Sequence, residues 1–171
     1  MRKTAFASLV FLSVGMTQAS AAQESVNREA LVNLTGVYVL IEGLPDDVAK
    51  AGLSVTQLQT DVELRLRQSG VRVLTTREER ASVPGNPTLY VNVNAMEIAP
   101  KFYAFNAALE LEQDVTLVRA PSVVLYSART WSASSTLGTV SRGELADHVR
   151  QKVRDKTDEF INAYLATNPK R

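Results

Sequence analysis

Residues Leu89 to Met96 read LYVNVNAM: Leu89, Val91, Val93 and Ala95 fall on one side of an extended chain, and Tyr90, Asn92 and Asn94 on the other. Strand side chains alternate between faces, so the pattern predicts a strand with one dry side and one wet side. The pattern returns after the Pro100 region turns the chain. From Tyr103, the residues Phe105, Ala107, Leu109, Leu111, Val115 and Leu117 face one way, and Asn106, Glu110, Glu112, Asp114 and Thr116 the other. A sheet that is dry on one side needs a second layer to cover it, and the flanking sequence supplies helices.

Working outward, Val37 to Ile41 (VYVLI) is dense in β-branched and aromatic residues between Gly36 and Gly43. It reads as a strand, and its lack of alternation suits the centre of a sheet or cover on both faces. Ser54 to Gln57 has the spacing of a capping box. Val55, Leu58, Val62 and Leu66 then recur at helical spacing, with Asp61 and Arg65, and Glu63 and Arg67, placed four apart. Gly70 suits a left-handed helix end, and Val71 to Leu74 a short strand. Thr75 to Thr88 (TTREERASVPGNPT) reads as the longest loop. Ala120-Pro121-Ser122 is a turn, and Val123 to about Ser132 a further strand. Ser141 to Glu144 repeats the capping-box spacing ahead of a long helix, whose inner face is Leu145, Val149, Val153, Phe160, Ile161, Tyr164 and Leu165 and whose stop is Asn168-Pro169. The expected order is β-α-β-β-β-α: an α+β two-layer sandwich, with two helices on one face of a mostly antiparallel sheet.

The first 21 residues predict export. Arg2 and Lys3 precede an apolar or small run from Ala5 to Met16, and Ala19-Ser20-Ala21 offers small residues for cleavage after Ala21. The run is too short for a membrane span. Residues 22–171 then form a single α+β domain, with a core at about 30–167, located in the periplasm or alternatively outside the cell. Removing the signal leaves 17 basic residues against 18 acidic. Near-neutrality argues against an electrostatic nucleic-acid binder. The chain has no cysteine, so disulfides, thiolate catalysis and a zinc-thiolate site are excluded, as is a lipid-bearing cysteine.

Catalytic patterns are sparse. The single histidine, His148, lies on the last helix, and no serine sits in G-x-S-x-G or S-x-x-K. Gly138 to Gly143 has phosphate-loop glycine spacing, but Glu144 stands where a lysine would hold phosphate. Glu110, Glu112 and Asp114 line one strand without the spacing of a calcium loop. No catalytic residue, metal or cofactor is expected. The acids that end VYVLIEGLPDD, Glu42, Asp46 and Asp47, read as a strand end and a short helical turn, with Arg72 the expected partner of Glu42.

The candidate binding residues are Tyr90, Asn92, Asn94 and Asn106 on the wet face, together with Trp131. If the last strand turns Val124, Tyr126, Ala128 and Thr130 inward, then Val123, Leu125, Arg129 and Trp131 form an outer patch. That register spares Arg129 a buried position. The strand–helix–strand unit Val37 to Leu74, with LQTDVELRLRQSG closing its helix and VRVL its second strand, is followed by a meander and a final helix. This order resembles the small periplasmic α/β domains of bacterial envelope assembly, with a topology similar to the lipopolysaccharide-assembly lipoprotein of the outer membrane. The resemblance implies a non-catalytic partner of a larger envelope protein, and the missing lipobox cysteine departs from it. The expected function is therefore a non-enzymatic envelope module acting through a protein partner or self-association. The alternatives are an exported hydrolase or ligand-binding enzyme using carboxylates near Glu42, and a secreted structural protein.

Overall fold

The computed structural model describes residues 28–134 and 136–169. The signal expected over residues 1–21 lies outside the described residues. The chain forms strand β1 (Val37–Ile41), helix α1 (Asp46–Lys50), helix α2 (Val55–Gln68), strand β2 (Val73–Leu74) and helix α3 (Arg77–Ala81). Strands β3 (Thr88–Ala99), β4 (Phe102–Leu117), β5 (Ala120–Ser132) and β6 (Thr136–Ser141) follow, and helix α4 (Leu145–Thr167) ends the fold. The class is α+β. Six strands form one mostly antiparallel sheet in the order β2-β1-β3-β4-β5, with β6 also against β4. This corrects the order β-α-β-β-β-α, which has two strands and two short helices too few. The strand expected over Val71 to Leu74 shortens to two residues, and the long loop encloses α3.

Alternation explains the layers. Leu89, Val91 and Val93 of β3 and Tyr103, Phe105, Ala107, Leu109 and Leu111 of β4 are buried against Leu58, Val62 and Leu66 of α2 and Leu145, Val149, Val153 and Phe160 of α4. β1 joins β2 and β3 in parallel and sits between them, which accounts for its dense apolar sequence. Leu40 nonetheless remains exposed, so β1 is central by pairing and wet on one side. Gly70 takes the left-handed conformation that ends α2, with φ 81°.

Ion pairs join the two long helices to each other. Asp61 of α2 meets Arg150 at 2.8 Å, and Arg65 pairs with Asp158. The expected Asp61–Arg65 pair is replaced by these cross-helix bonds, whereas Glu63 and Arg67 do pair, at 2.8 Å. Arg65 and Asp158 each keep about two-fifths of their side-chain surface in water, so solvent screening leaves such a pair worth roughly 1 kcal/mol or less.

Capping differs from the reading at three places. Ser54 precedes α2 in extended conformation but makes no side-chain cap bond. Ser141 Oγ donates to Glu144 in a turn between β6 and α4, and Glu144 itself is the residue before the helix. The box forms instead at α3, where Thr76 Oγ1 accepts from the Glu79 amide at 3.1 Å and Glu79 accepts from the Thr75 amide at 2.6 Å. Bonds from the Thr75 amide and then its hydroxyl hold the Glu79 carboxyl below its ordinary range. Thr76-Arg77-Glu78-Glu79 carries the T-x-x-E spacing in plain sight.

Candidate functional site

The two long helices cover one side of the sheet; the other side is largely open. Pairing across β3 and β4 sets Asn94 directly opposite Asn106, Tyr90 opposite Glu110, and Met96 opposite Ala104. On β6, Leu137 lies opposite Asn106 and so shares its side. Directly paired residues of an antiparallel ladder point to the same face, so one surface gathers the asparagines, Tyr90, Met96 and Leu137. Phe102, one residue before the buried Tyr103, points the same way. Met96 is 65% exposed and Leu137 82%, and Phe102 is more than half exposed. Asn94 donates from its amide nitrogen to the Asn92 oxygen, which aligns the row.

Near β1 the face becomes acidic. Glu42, Glu110 and Glu112 surround the Tyr90 phenol, whose pKa is pushed up to about 12, first by its hydrogen bond to Glu42 and then by burial. Tyr90, rather than Arg72, is therefore the partner of Glu42. Arg72 instead approaches Glu79, at 3.9 Å. Burial, reinforced by Glu110, raises the Glu112 carboxyl. α3 closes the corner beyond, with the Arg80 guanidinium 5.7 Å from the Tyr38 ring centroid and donating to Thr88 at 3.1 Å.

Of the three acids Glu110, Glu112 and Asp114 along β4, the first and last have separate partners. Glu110 accepts from Arg129 at 2.9 Å. Asp114 accepts from the Asn86 side chain at 2.5 Å and from the Ser127 amide at 3.1 Å. Asp46 opens α1, as its position after Pro45 suggests, and is exposed. His148 is also exposed, on α4.

Trp131 corrects the expected site. It is 6% exposed and packs edge-on to Phe160, with ring centroids 5.4 Å apart. Leu111 pairs with Trp131 and the next residue, Glu112, with Arg129, so β5 carries one extra residue, Thr130. This bulge places Trp131 and Arg129 on opposite faces, although they are two apart in sequence. The penalty weighed for an inward tryptophan, a buried arginine, does not arise. Val123 and Leu125 are exposed, as expected, but so are Val124 and Tyr126, which that register turned inward.

A second interruption follows β5 at Ala133 and Ser134. It leaves a shallow cleft of about 260 Å³, lined by Asn106, Ala108, Glu110, Arg129, Ser132 and Ser134. Glu159 of α4 accepts from the Ser134 amide and hydroxyl at 2.8 and 2.7 Å, and Lys156 donates to the Ser134 carbonyl. Sequence reasoning missed this anchoring, because Lys156 falls among inner-face residues of α4 and a lysine there reads as a surface residue. The Gly138 to Gly143 segment is not a phosphate loop: its first four residues belong to β6.

Fold and surface together define an α+β two-layer protein with helices on one side of a sheet whose other side presents amides, carboxylates and exposed apolar groups. No family model matches the chain, and no curated protein matches it. Among solved structures, a minor lipoprotein from Acinetobacter baumannii aligns over 74% of this chain and 94% of its own, at 11% identity and a TM-score of 0.32. A superposition at that score carries no argument about function. Among the described residues, no helix is long and apolar enough to cross a membrane.

Proposed function

We propose that this protein is an exported, non-enzymatic module of the bacterial envelope that binds another envelope protein through the open face of its sheet. One observation carries the reading: Met96, Phe102 and Leu137 are exposed on the same side as Asn92, Asn94 and Asn106. Apolar groups rimmed by amides suit a protein surface, where the former are desolvated and the latter keep hydrogen bonds. The cleft beside Asn106 falls below the roughly 300–1,000 Å³ usual for small-molecule sites, which favours a macromolecular partner. The sequence of residues 1–21 supports export.

The carboxylate-enzyme reading gains no support from Glu42, whose bond to Tyr90 makes the phenol a weaker acid. A general acid or base works best with its pKa near the operating pH. The test is affinity purification under mild conditions from fractionated cells, comparing the wild-type chain with Phe102→Asp. A protein recovered from the periplasmic fraction in near-equal amount with wild type, and lost with Phe102→Asp, supports the proposal. Equal recovery with both chains, or residence of the protein in the cytoplasm, contradicts it.

A further inference from the structure

From the edge of the sheet, away from the open-face site, we infer that two copies of this chain associate by antiparallel pairing of their β5 strands. β3 pairs with β4 as far as Thr88 and Glu112, and beyond Asp114 the β4–β5 hairpin continues as a two-stranded ribbon. Such a ribbon is marginal by itself in water. This one nonetheless carries Val123, Val124 and Leu125, each more than two-fifths exposed, with Tyr126 at 77%. These four residues are consecutive, so apolar groups lie on both faces of the ribbon. The outer side of β5 pairs with no other strand among the described residues. An occupant must therefore supply a hydrogen-bonding edge as well as apolar cover. Lipid supplies cover without hydrogen bonds.

A second copy supplies both, and it removes both free edges in one closed, two-fold arrangement. Taking Val123, Val124, Leu125, Tyr126 and the tip residue Val118 together, the exposed apolar area is roughly 400 Å² per copy. The pair then offers about 800 Å² before the backbone edges are counted, close to the roughly 1,000 Å² at which specific interfaces begin. The expected dimer is consequently one that dissociates on dilution. Centred on Leu125, the pairing sets Val124 opposite Tyr126 of the second copy, a favourable β-branched and aromatic combination. It also keeps the Arg119 and Arg129 side chains of the two copies from facing one another.

Sedimentation velocity of the purified protein from about 1 to 200 μM should show a monomer–dimer equilibrium, and Leu125→Lys should shift it at least tenfold toward monomer with an unchanged circular dichroism spectrum. Because the chain has no cysteine, Leu125→Cys provides a second readout: it should form a disulfide-linked dimer under mild oxidation, while Asn94→Cys should not. Phe102→Asp should leave the dimer intact, which separates this inference from the open-face proposal. A monomer throughout the concentration range, a dimer untouched by Leu125→Lys, or equal disulfide formation from Asn94→Cys would overturn it. So would Leu125-dependent binding of the monomer to phosphatidylglycerol–phosphatidylethanolamine vesicles, which would make lipid the occupant.

Discussion

Trp131 shows how one residue can separate the core from the binding surface. Since its indole packs on Phe160, Trp131→Ala should cost about 3–5 kcal/mol in chemical denaturation, whereas a docking role would predict weaker binding with stability intact. Lys156 offers a test by pH. Its ammonium is buried beneath Ser134, and that desolvation lowers its pKa below the ordinary 10.5. Below the depressed value both states hold the proton, and the folded state bears the whole cost of burying charge. Above it, the folded chain sheds the proton while the unfolded chain keeps it until about pH 10.5, so stability rises with pH through that window. Tyr90 acts oppositely, losing its stabilising contribution between about pH 10 and 12. Urea denaturation below pH 10 should therefore isolate the lysine. Lys156→Met should flatten the rise and leave stability at pH 7 unchanged or higher, as replacing buried charge by apolar volume often does.

At the scale of elements, the open-face residues were legible because alternation places Tyr90, Asn92, Asn94 and Asn106 without knowledge of their neighbours. The side of Trp131 was not, because the extra residue Thr130 resets the count and its position depends on the partner strand. The start of α2 was readable from Leu58, Val62 and Leu66, although the Ser54 hydroxyl bond was not made. β6 was hidden because its glycine lacks the side chain that would mark a strand. In the fold, a Cβ at Gly138 would lie 2.8 Å from the Phe105 ring, and Gly138→Ala should destabilise by about 1–3 kcal/mol, lowering the thermal midpoint. Thr76→Ala should remove the cap bond to the Glu79 amide and cost about 1 kcal/mol. Amide exchange should quicken in α3 before it does in α2.

For the whole molecule, the two-layer plan follows from one dry sheet face matched to two amphipathic helices. The same plan leaves the opposite face open, with Met96, Phe102 and Leu137 exposed on it. Alternation within the chain marks a candidate surface, whereas what would bind it depends on a surface outside this sequence, so a candidate face is easier to read here than a ligand. The most direct measurement is photo-crosslinking in intact cells, with a photoreactive amino acid at Asn94 on the open face and, in a separate strain, at His148 on the exposed side of α4. The account predicts a discrete adduct with another envelope protein from Asn94, abolished by Phe102→Asp and absent from His148. No adduct from Asn94, or the same adduct from His148, would contradict it.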